Sequence, residues 1–142
     1  MLHKLPPPTD EQLAAEPGWL PLGPWPFYHG KPGYYVVGDK TGTRHVPVYY
    51  RDAVRSDVLH GKVWFGPGTE GPPMHAHGGA MAAYLDELLG ICCWAAGIPA
   101  VAAQLNTTFR AMLPIGTVAW ARCEIERRGT RSVHLTSRLF VP

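Results

Sequence analysis

Apolar residues run almost without interruption over positions 80–96, where Asp86 and Glu87 are the only charged side chains. A helix over this stretch would present apolar side chains on every face, which is typical of a helix enclosed by other elements. Gly97, with a proline two positions later, gives a helix stop, because glycine accepts the left-handed cap and proline cannot continue a helix. The pattern predicts one long central helix over about residues 77–96, buried on all sides.

The predicted start of this helix lacks an ordinary N-cap. The chain enters it through His77, Gly78 and Gly79, where Ser, Thr, Asp or Asn would be the usual capping residue. We therefore expect the first backbone N–H groups to have no side-chain partner. Such amides favour negative charge, and glycines let a ligand approach the backbone closely. The sequence thus predicts a place for an anion or a developing oxyanion.

Strand-forming residues and turn signals alternate on both sides of the helix. The predicted strands cover residues 34–37, 44–51, 58–66, 101–112, 117–127 and 131–141, and a turn at 38–42 joins the first two as a hairpin. Strands, one long helix and strands again are typical of an α+β structure. We expect a curved antiparallel sheet that wraps the central helix.

Residues 1–33 hold much of the proline and two of the five tryptophans. They predict an extended arm laid over the body, which leaves residues 34–142 as one domain. Thr9 and Gln12 match a capping box, so a short helix to about Ala15 is predicted within the arm. We expect the arm to pack against its own or a partner's sheet, where it would cover the strand at 131–141.

Composition narrows the class of protein. The chain of 142 residues is 46% hydrophobic, enough for one domain with a core, and its formal net charge is only +2. The basic residues are scattered, which argues against a nucleic-acid partner. Three cysteines cannot form a disulfide framework, so we expect a reducing, cytoplasmic setting. The N-terminus has no apolar export signal and no apolar run is long enough for a membrane span.

Two motifs carry a resemblance to a known family. They are Glu70-Gly-Pro-Pro-Met-His-Ala-His-Gly-Gly-Ala-Met-Ala-Ala-Tyr-Leu-Asp-Glu and Leu105-Asn-Thr-Thr-Phe-Arg-Ala-Met-Leu-Pro-Ile-Gly-Thr117. Over about residues 44–141 the chain resembles the hotdog-fold acyl-CoA thioesterases, of the phenylacetate-pathway type in the 4-hydroxybenzoyl-CoA thioesterase superfamily. The resemblance implies a hotdog fold and hydrolysis of an acyl-CoA whose acyl group is medium to long-chain or aryl. It implies no metal and no redox cofactor.

The resemblance also assigns roles around the helix start. The residue matching Gly78 offers its backbone amide to the thioester carbonyl, and the one matching His77 helps to shape the site. Asp86 matches the catalytic carboxylate. Glu87 and Gly79 are second-tier catalytic candidates beside them. Candidate contacts to the substrate are His75, Asn106, Thr107 and Arg110.

Two positions depart from the family pattern. Many relatives carry a hydroxyl residue one turn after the acid or just before the Leu-Asn motif, where this chain has Gly90 and Ala102. The residues that could replace this hydroxyl group are Gln104, Asn106, Thr107 and Thr108. Relatives also follow the strand matching 131–141 with one more strand, so we expect the sheet to be one strand short.

The spacing of Gly78 and Asp86 predicts a dimer. The two residues are eight positions apart, which is about 12 Å along a helix, too far for both to reach one carbonyl group. A two-fold axis that sets the same helix antiparallel beside its partner would bring Gly78 of one subunit near Asp86 of the other. The family is dimeric in this way, so a homodimer is expected, and two dimers could associate into a tetramer.

Other interpretations of these residues stay open. Glu87 replaces Asp86 as the base if the helix register shifts by one, and His77 serves a purely structural purpose if it only satisfies a backbone group. His75, His77, Asp86 and Cys92 suggest a metal site only weakly. Arg127, Arg128 and Arg131 are weak candidates for the phosphates of CoA, because solvated charges at a hairpin need no ligand.

The fold alone does not establish hydrolysis. One alternative is a hotdog protein that binds acyl-CoA or another thioester without turnover, which the missing hydroxyl groups favour. Another is a hydratase or dehydratase, or a thioesterase that acts on a carrier protein in a biosynthetic pathway.

Overall fold

One antiparallel sheet and one long helix form the framework of the described part of the chain. The computed structural model describes residues 4–22, 35–36 and 42–142. The sheet has five strands in the order β1-β2-β3-β4-β5. In chain order the elements are α1 (Asp10–Leu13), β1 (Trp19–Pro21), β2 (His45–Asp52), β3 (Val58–Phe65), a 3-10 turn (Pro67–Thr69), α2 (Gly78–Ala95), β4 (Val118–Arg128) and β5 (Val133–Phe140).

The core lies between helix α2 and one face of the sheet. Strand β3 is buried along its whole length, and β4 alternates between buried and part-exposed residues. The buried positions of β4 are small or medium in size: Ala119, Ala121, Cys123 and Ile125. A Cβ atom on Gly61 of β3 would overlap the hydroxyl group of Tyr84 in α2. Glycine at this position therefore lets the helix pack close to the sheet.

Helix α2 has the predicted bounds within a residue or two, but the prediction that it is buried on all sides is wrong. Its buried residues are Ala80, Met81, Tyr84, Leu88, Ile91, Cys92 and Cys93, and most of them form a stripe that faces the sheet. On the opposite face Gly79 and Asp86 are exposed and Gly90 is half-exposed. Successive residues turn by about 100° around a helix, so a sheet that covers one side leaves the other side open.

The predicted strand at residues 101–112 is also wrong. The segment contains no strand, and the nearest ladder contact is an isolated bridge between His75 and Pro114. It runs beside α2, where Ala102 and Leu105 share a groove with the helix. Its β-branched and aromatic residues fit a strand, but a strand forms only where a neighbouring strand offers hydrogen bonds. In the described part of the chain β5 pairs only with β4.

The arm is held to the sheet by specific contacts. The predicted capping box is confirmed, since Thr9 and Gln12 exchange hydrogen bonds at the start of α1. Glu16 forms an ion pair of 2.6 Å with Lys62 of β3, which is only 3% exposed. The Trp19 ring stacks on that of His60 at 4.6 Å. These contacts place the described part of the arm over β3.

The described part of the arm, residues 4–22, lies away from β5, which it was expected to cover. Strand β1 pairs with β2 and forms the edge of the sheet that lies opposite to β5. Of the predicted strand at 34–37 only Tyr35 and Val36 are described, so that strand, its turn at 38–42 and the proposed domain boundary at 33/34 lie largely outside the described residues. None of the helices in the described ranges is long and apolar enough to cross a membrane.

Candidate active site

The entry into α2 is capped by an unusual residue. His77 is the N-cap, and its Nδ1 accepts a hydrogen bond of 2.8 Å from the backbone N–H of Gly79. The prediction that these amides lack a side-chain partner is therefore wrong for Gly79. A Cβ atom on Gly79 would lie 3.0 Å from the same nitrogen. The glycine thus makes room for the imidazole cap, and His77 has a structural role at the helix start.

The amide of Gly78 is left free by this cap. Its N–H group has no hydrogen-bond partner among the residues that the structure describes. The Phe109 ring lies 3.3 Å from the position that a Cβ atom on Gly78 would occupy. A free amide at the first position of an 18-residue helix suits a developing negative charge.

The loop before α2 is fixed at several points. Met74 has a left-handed backbone conformation with φ of 63°, and its N–H donates to Glu70 Oε1. The N–H of Ala76 donates to the carbonyl of Leu113 at 2.7 Å. The side chain of His75 turns back into the loop, where its Nδ1 donates to the Pro73 carbonyl at 2.8 Å. The start of the helix is therefore held in a defined place.

Asp86 lies two turns further along the open face of α2. Its side chain is exposed, and no hydrogen bond to it occurs within the described ranges. It lines a groove of about 340 Å³ between the helix and the segment at 101–112. The other lining residues are Gly79, Ala82, Ala83, Ala102, Ala103, Gln104 and Leu105. Asp86 and Gln104 are the two members of this set with polar side chains.

Glu87, the alternative to Asp86, has a different environment. Its side chain is half-buried and does not line the groove. Its Oε1 is buried without a hydrogen-bond partner in the described structure. Desolvation, and secondarily the charge of Asp86, raise the pKa of Glu87. The two adjacent carboxyl groups therefore differ in exposure, and only Asp86 faces the groove.

The predicted substrate contacts are spread around the groove rather than within it. Asn106 and Arg110 are exposed and Thr107 is half-exposed on the segment beside α2, but none of the three lines the groove. No side chain supplies a hydroxyl group at the positions of Gly90 and Ala102. Gly90 has open space around it, and Ala102 brings only a methyl group to the groove. Gln104, which sequence reasoning named only as one possible replacement, does reach the groove.

The residues of the weak metal hypothesis are not brought together. Cys92 is buried in the core while Asp86 is exposed on the other face of the helix. No group of three or more His, Cys, Asp or Glu suited to a metal ion occurs in ranges 4–22, 35–36 and 42–142. The three cysteines are free and buried, and Cys92 packs against Cys123.

Comparisons with known proteins agree with this architecture. Residues 74–141 match the family model described as the Thioesterase superfamily. Acyl-coenzyme A thioesterase THEM5 from Mus musculus is 31% identical over 71 residues, which are 50% of this chain and 29% of that protein. THEM5 from Homo sapiens is 30% identical over 74 residues, which are 51% of this chain and 30% of that protein. The chain thus spans less than a third of the length of these relatives.

A solved structure described as a thioesterase superfamily protein has a TM-score of 0.54 to this chain at 23% identity, covering 66% of this chain and 56% of that one. This likeness shows the fold, and the five-stranded antiparallel sheet with one main helix is the predicted α+β hotdog fold. The match over residues 74–141 begins just before the His77 cap and includes Gly78, Asp86 and Gln104. Residues 74–141 are thus similar to the thioesterase superfamily, and the chain shares the fold of a solved structure described as a protein of that superfamily.

Proposed function

We propose that the chain hydrolyses acyl-CoA thioesters as a homodimer, with Asp86 as the base or nucleophile and the Gly78 amide as the oxyanion donor. One observation carries this proposal. A free helix N-terminal amide and an exposed carboxylate beside a groove lie on the same helix, about 12 Å apart. The names of the mouse and human relatives, both acyl-coenzyme A thioesterases, support it.

The open face of α2 supports the dimer. Its residues are small, so the helix of a second subunit could approach closely. Beside this face the segment at 101–112 exposes apolar side chains, including Phe109 at 54% and Met112 at 61%. Apolar surface of this kind marks an interaction site. A two-fold axis along this face would set the Gly78 amide of one subunit opposite the Asp86 carboxylate of the other.

The proposed reaction needs only these two groups and water. The Gly78 N–H polarises the thioester carbonyl and stabilises the oxyanion that forms on it. Asp86 takes a proton from water while the water oxygen bonds to the carbonyl carbon, or the carboxylate attacks that carbon itself. Collapse breaks the C–S bond, and the thiolate of CoA leaves and takes up the proton from Asp86. If the carboxylate attacks instead, collapse leaves an acyl anhydride on Asp86, and water then hydrolyses this anhydride and supplies the proton that the thiolate takes up. The products are the free acid and CoA.

The groove favours an apolar acyl group, because its lining beside Asp86 and Gln104 consists of glycine, alanine and leucine. We therefore propose a medium to long-chain or aryl acyl group. Arg110 is exposed near the groove-lining segment and is the proposed contact for a phosphate of CoA, with His75, Asn106 and Thr107 as further candidates. Three unpaired cysteines support a reducing, cytoplasmic setting.

The first test is Asp86→Asn on a panel of acyl-CoA substrates with a free-thiol readout. We expect the purified variant to fold normally and to lose at least about 10²-fold in turnover, because an amide cannot act as base or nucleophile. Glu87→Gln is the matched neighbouring change, and it should lose far less. Wild-type turnover in a folded Asp86→Asn protein would rule out this mechanism.

A second candidate function follows from Gly90 and Ala102. Without a hydroxyl group at either position, the protein could bind an acyl thioester and not hydrolyse it. Binding of acyl-CoA without thiol release would favour this candidate. Loss of enoyl absorbance would point to a hydratase, and release only from an acyl carrier protein would point to a biosynthetic thioesterase.

A further inference from the structure

We propose that Gln104 holds the hydrolytic water against Asp86, in place of the hydroxyl group that the chain lacks. This inference rests on the proposed hydrolysis. It starts from the groove, in which Asp86 and Gln104 are the two side chains that can form hydrogen bonds. Asp86 comes from the helix and Gln104 from the segment beside it, so the two side chains border the same space.

A water molecule that attacks a carbonyl carbon needs two acceptors. One O–H bond must point to the base that takes the proton, and the other must be held so that a lone pair on oxygen faces the carbon. Asp86 supplies the first acceptor. Gly90 offers no side chain and Ala102 only a methyl group, and Gln104 is the other lining residue whose side chain carries an acceptor.

The amide of Gln104 has its oxygen available as that acceptor. Its Nε2 donates a long hydrogen bond of 3.5 Å to Oδ1 of Asn106. This contact uses the NH₂ end of the side chain and leaves Oε1 as a free acceptor. Asn106 is thereby a positioning residue, since it acts through Gln104 and does not itself line the groove.

The proton balance of the step is unchanged by Gln104. One hydrogen of the water goes to the Asp86 carboxylate as the new C–O bond forms, and the other stays on oxygen while it is held by Gln104 Oε1. Collapse breaks the C–S bond, and the proton on Asp86 passes to the departing thiolate. Gln104 neither gains nor loses a proton.

The test compares Gln104→Ala with the double variant Gln104→Ala/Ala102→Ser. We expect the single variant to lose about tenfold or more in kcat with little change in KM, because it removes a contact made only to the attacking water. The serine places a hydroxyl group in the same groove, so the double variant should regain a measurable part of kcat. A residue needed only for folding or substrate binding would not show this recovery.

A second measurement uses charge. Gln104→Glu keeps an acceptor oxygen but adds a carboxylate opposite Asp86, which disfavours a second negative charge there. The acid limb of the pH–rate profile should move to higher pH. Gln12→Glu is the matched control, because Gln12 lies in the capping box of α1, where glutamate caps equally well. Its pH–rate profile should equal that of the wild type.

The outcomes separate the two proposals. No thiol release from any acyl-CoA by the wild type would overturn the proposed function and this inference with it. If the wild type is active and Gln104→Ala keeps its kcat, the inference alone is overturned. It is also overturned if Gln104→Ala loses activity but Ala102→Ser restores none, or if Gln104→Glu leaves the acid limb in place.

Discussion

Tyr84 shows how one side chain constrains its neighbours. Tyr84 lies on the buried face of α2 and is fully buried. Its hydroxyl group occupies the space that a Cβ atom on Gly61 would need. Within the described structure this hydroxyl has no hydrogen-bond partner, and burial raises the pKa of Tyr84. The helical pattern placed Tyr84 among the apolar residues. The sequence did not show that Gly61 on β3 makes room for this side chain, because the contact depends on the register of the sheet.

The unpaired hydroxyl group gives a stability prediction. A buried polar group without a partner costs desolvation free energy, so Tyr84→Phe should raise the free energy of unfolding by about 1 kcal/mol. Urea denaturation of both proteins measures the difference. Tyr50→Phe is the control of opposite sign, because the Tyr50 hydroxyl donates to the Leu13 carbonyl and its loss should destabilise. A destabilised Tyr84→Phe protein would mean that the hydroxyl has a partner.

The site could be predicted in its chemistry but not in its local detail. Asp86 is unusual as a charged residue in an apolar helix, its catalytic role was assigned from the family resemblance, and the structure places it beside a groove. The His77 cap was missed, because imidazole accepts a hydrogen bond only in one tautomer and histidine is not a common N-cap. Gln104 was underrated for a related reason. Its aim depends on where the segment at 101–112 lies, and sequence pattern predicted a strand there.

At the scale of elements, the hydrophobic pattern predicted the type and extent of the helix and strands that form the core, but it missed the short strand β1. Helix α2 and strands β3, β4 and β5 lie within one or two residues of the predicted bounds. Two of the errors are at surfaces that the described residues leave exposed. The open face of α2 and the segment at 101–112 both have apolar composition, and both are exposed. Apolar composition predicts that a surface is buried, but it does not show whether the same chain or a partner chain covers that surface.

The junction of β1 with the sheet contains a polar cluster. His60 Nε2 donates to the Asp52 carboxylate at 2.8 Å, and the backbone N–H groups of Val54 and Arg55 donate to it at 2.9 Å each. These hydrogen bonds, that from His60 first, lower the pKa of Asp52 from 3.8 to about 2. Trp19 of β1 is the Cα partner of Asp52 and stacks on His60, so the cluster joins the arm to the sheet.

This cluster predicts a specific acid sensitivity. Because the pKa of Asp52 is lower in the folded state than in the unfolded state, its hydrogen bonds stabilise the fold above about pH 4, and the effect is lost as pH falls through about 2. The free energy of unfolding of the wild type should fall across this range by on the order of 1 kcal/mol more than that of Asp52→Asn, allowing for solvent screening. Urea denaturation at several pH values measures both slopes.

The control for this experiment is Glu11→Gln, an exposed carboxylate on α1 that should keep the wild-type slope. Tryptophan fluorescence recorded in the same titrations reports on Trp19, which should change its emission if the arm leaves the sheet. Equal slopes for the wild type and Asp52→Asn would contradict the prediction.

At the scale of the whole molecule, the proposed site requires two chains. A variant that removes the Gly78 N–H group, the proposed oxyanion donor, allows this requirement to be tested. Gly78 is the first residue of α2, where proline is well tolerated because the N–H has no partner within the helix. His77 has ψ of 136°, in the region that a residue before proline prefers. Gly78→Pro should therefore remove the proposed oxyanion donor and keep the helix, with a small shift of the exposed Phe109 ring, which lies 3.3 Å from the position of the new Cβ atom.

The decisive experiment mixes two inactive proteins. We expect Gly78→Pro and Asp86→Asn to be inactive as separate dimers, because each site in them lacks either its amide or its carboxylate. When the two are refolded together, each mixed dimer has one site that combines the intact Gly78 of one chain with the intact Asp86 of the other. Random pairing makes half of the dimers mixed, and one of the two sites in each mixed dimer is complete. Activity should therefore return to about a quarter of the wild-type level. If both groups act within one chain, mixing restores nothing, and the two-chain site is excluded.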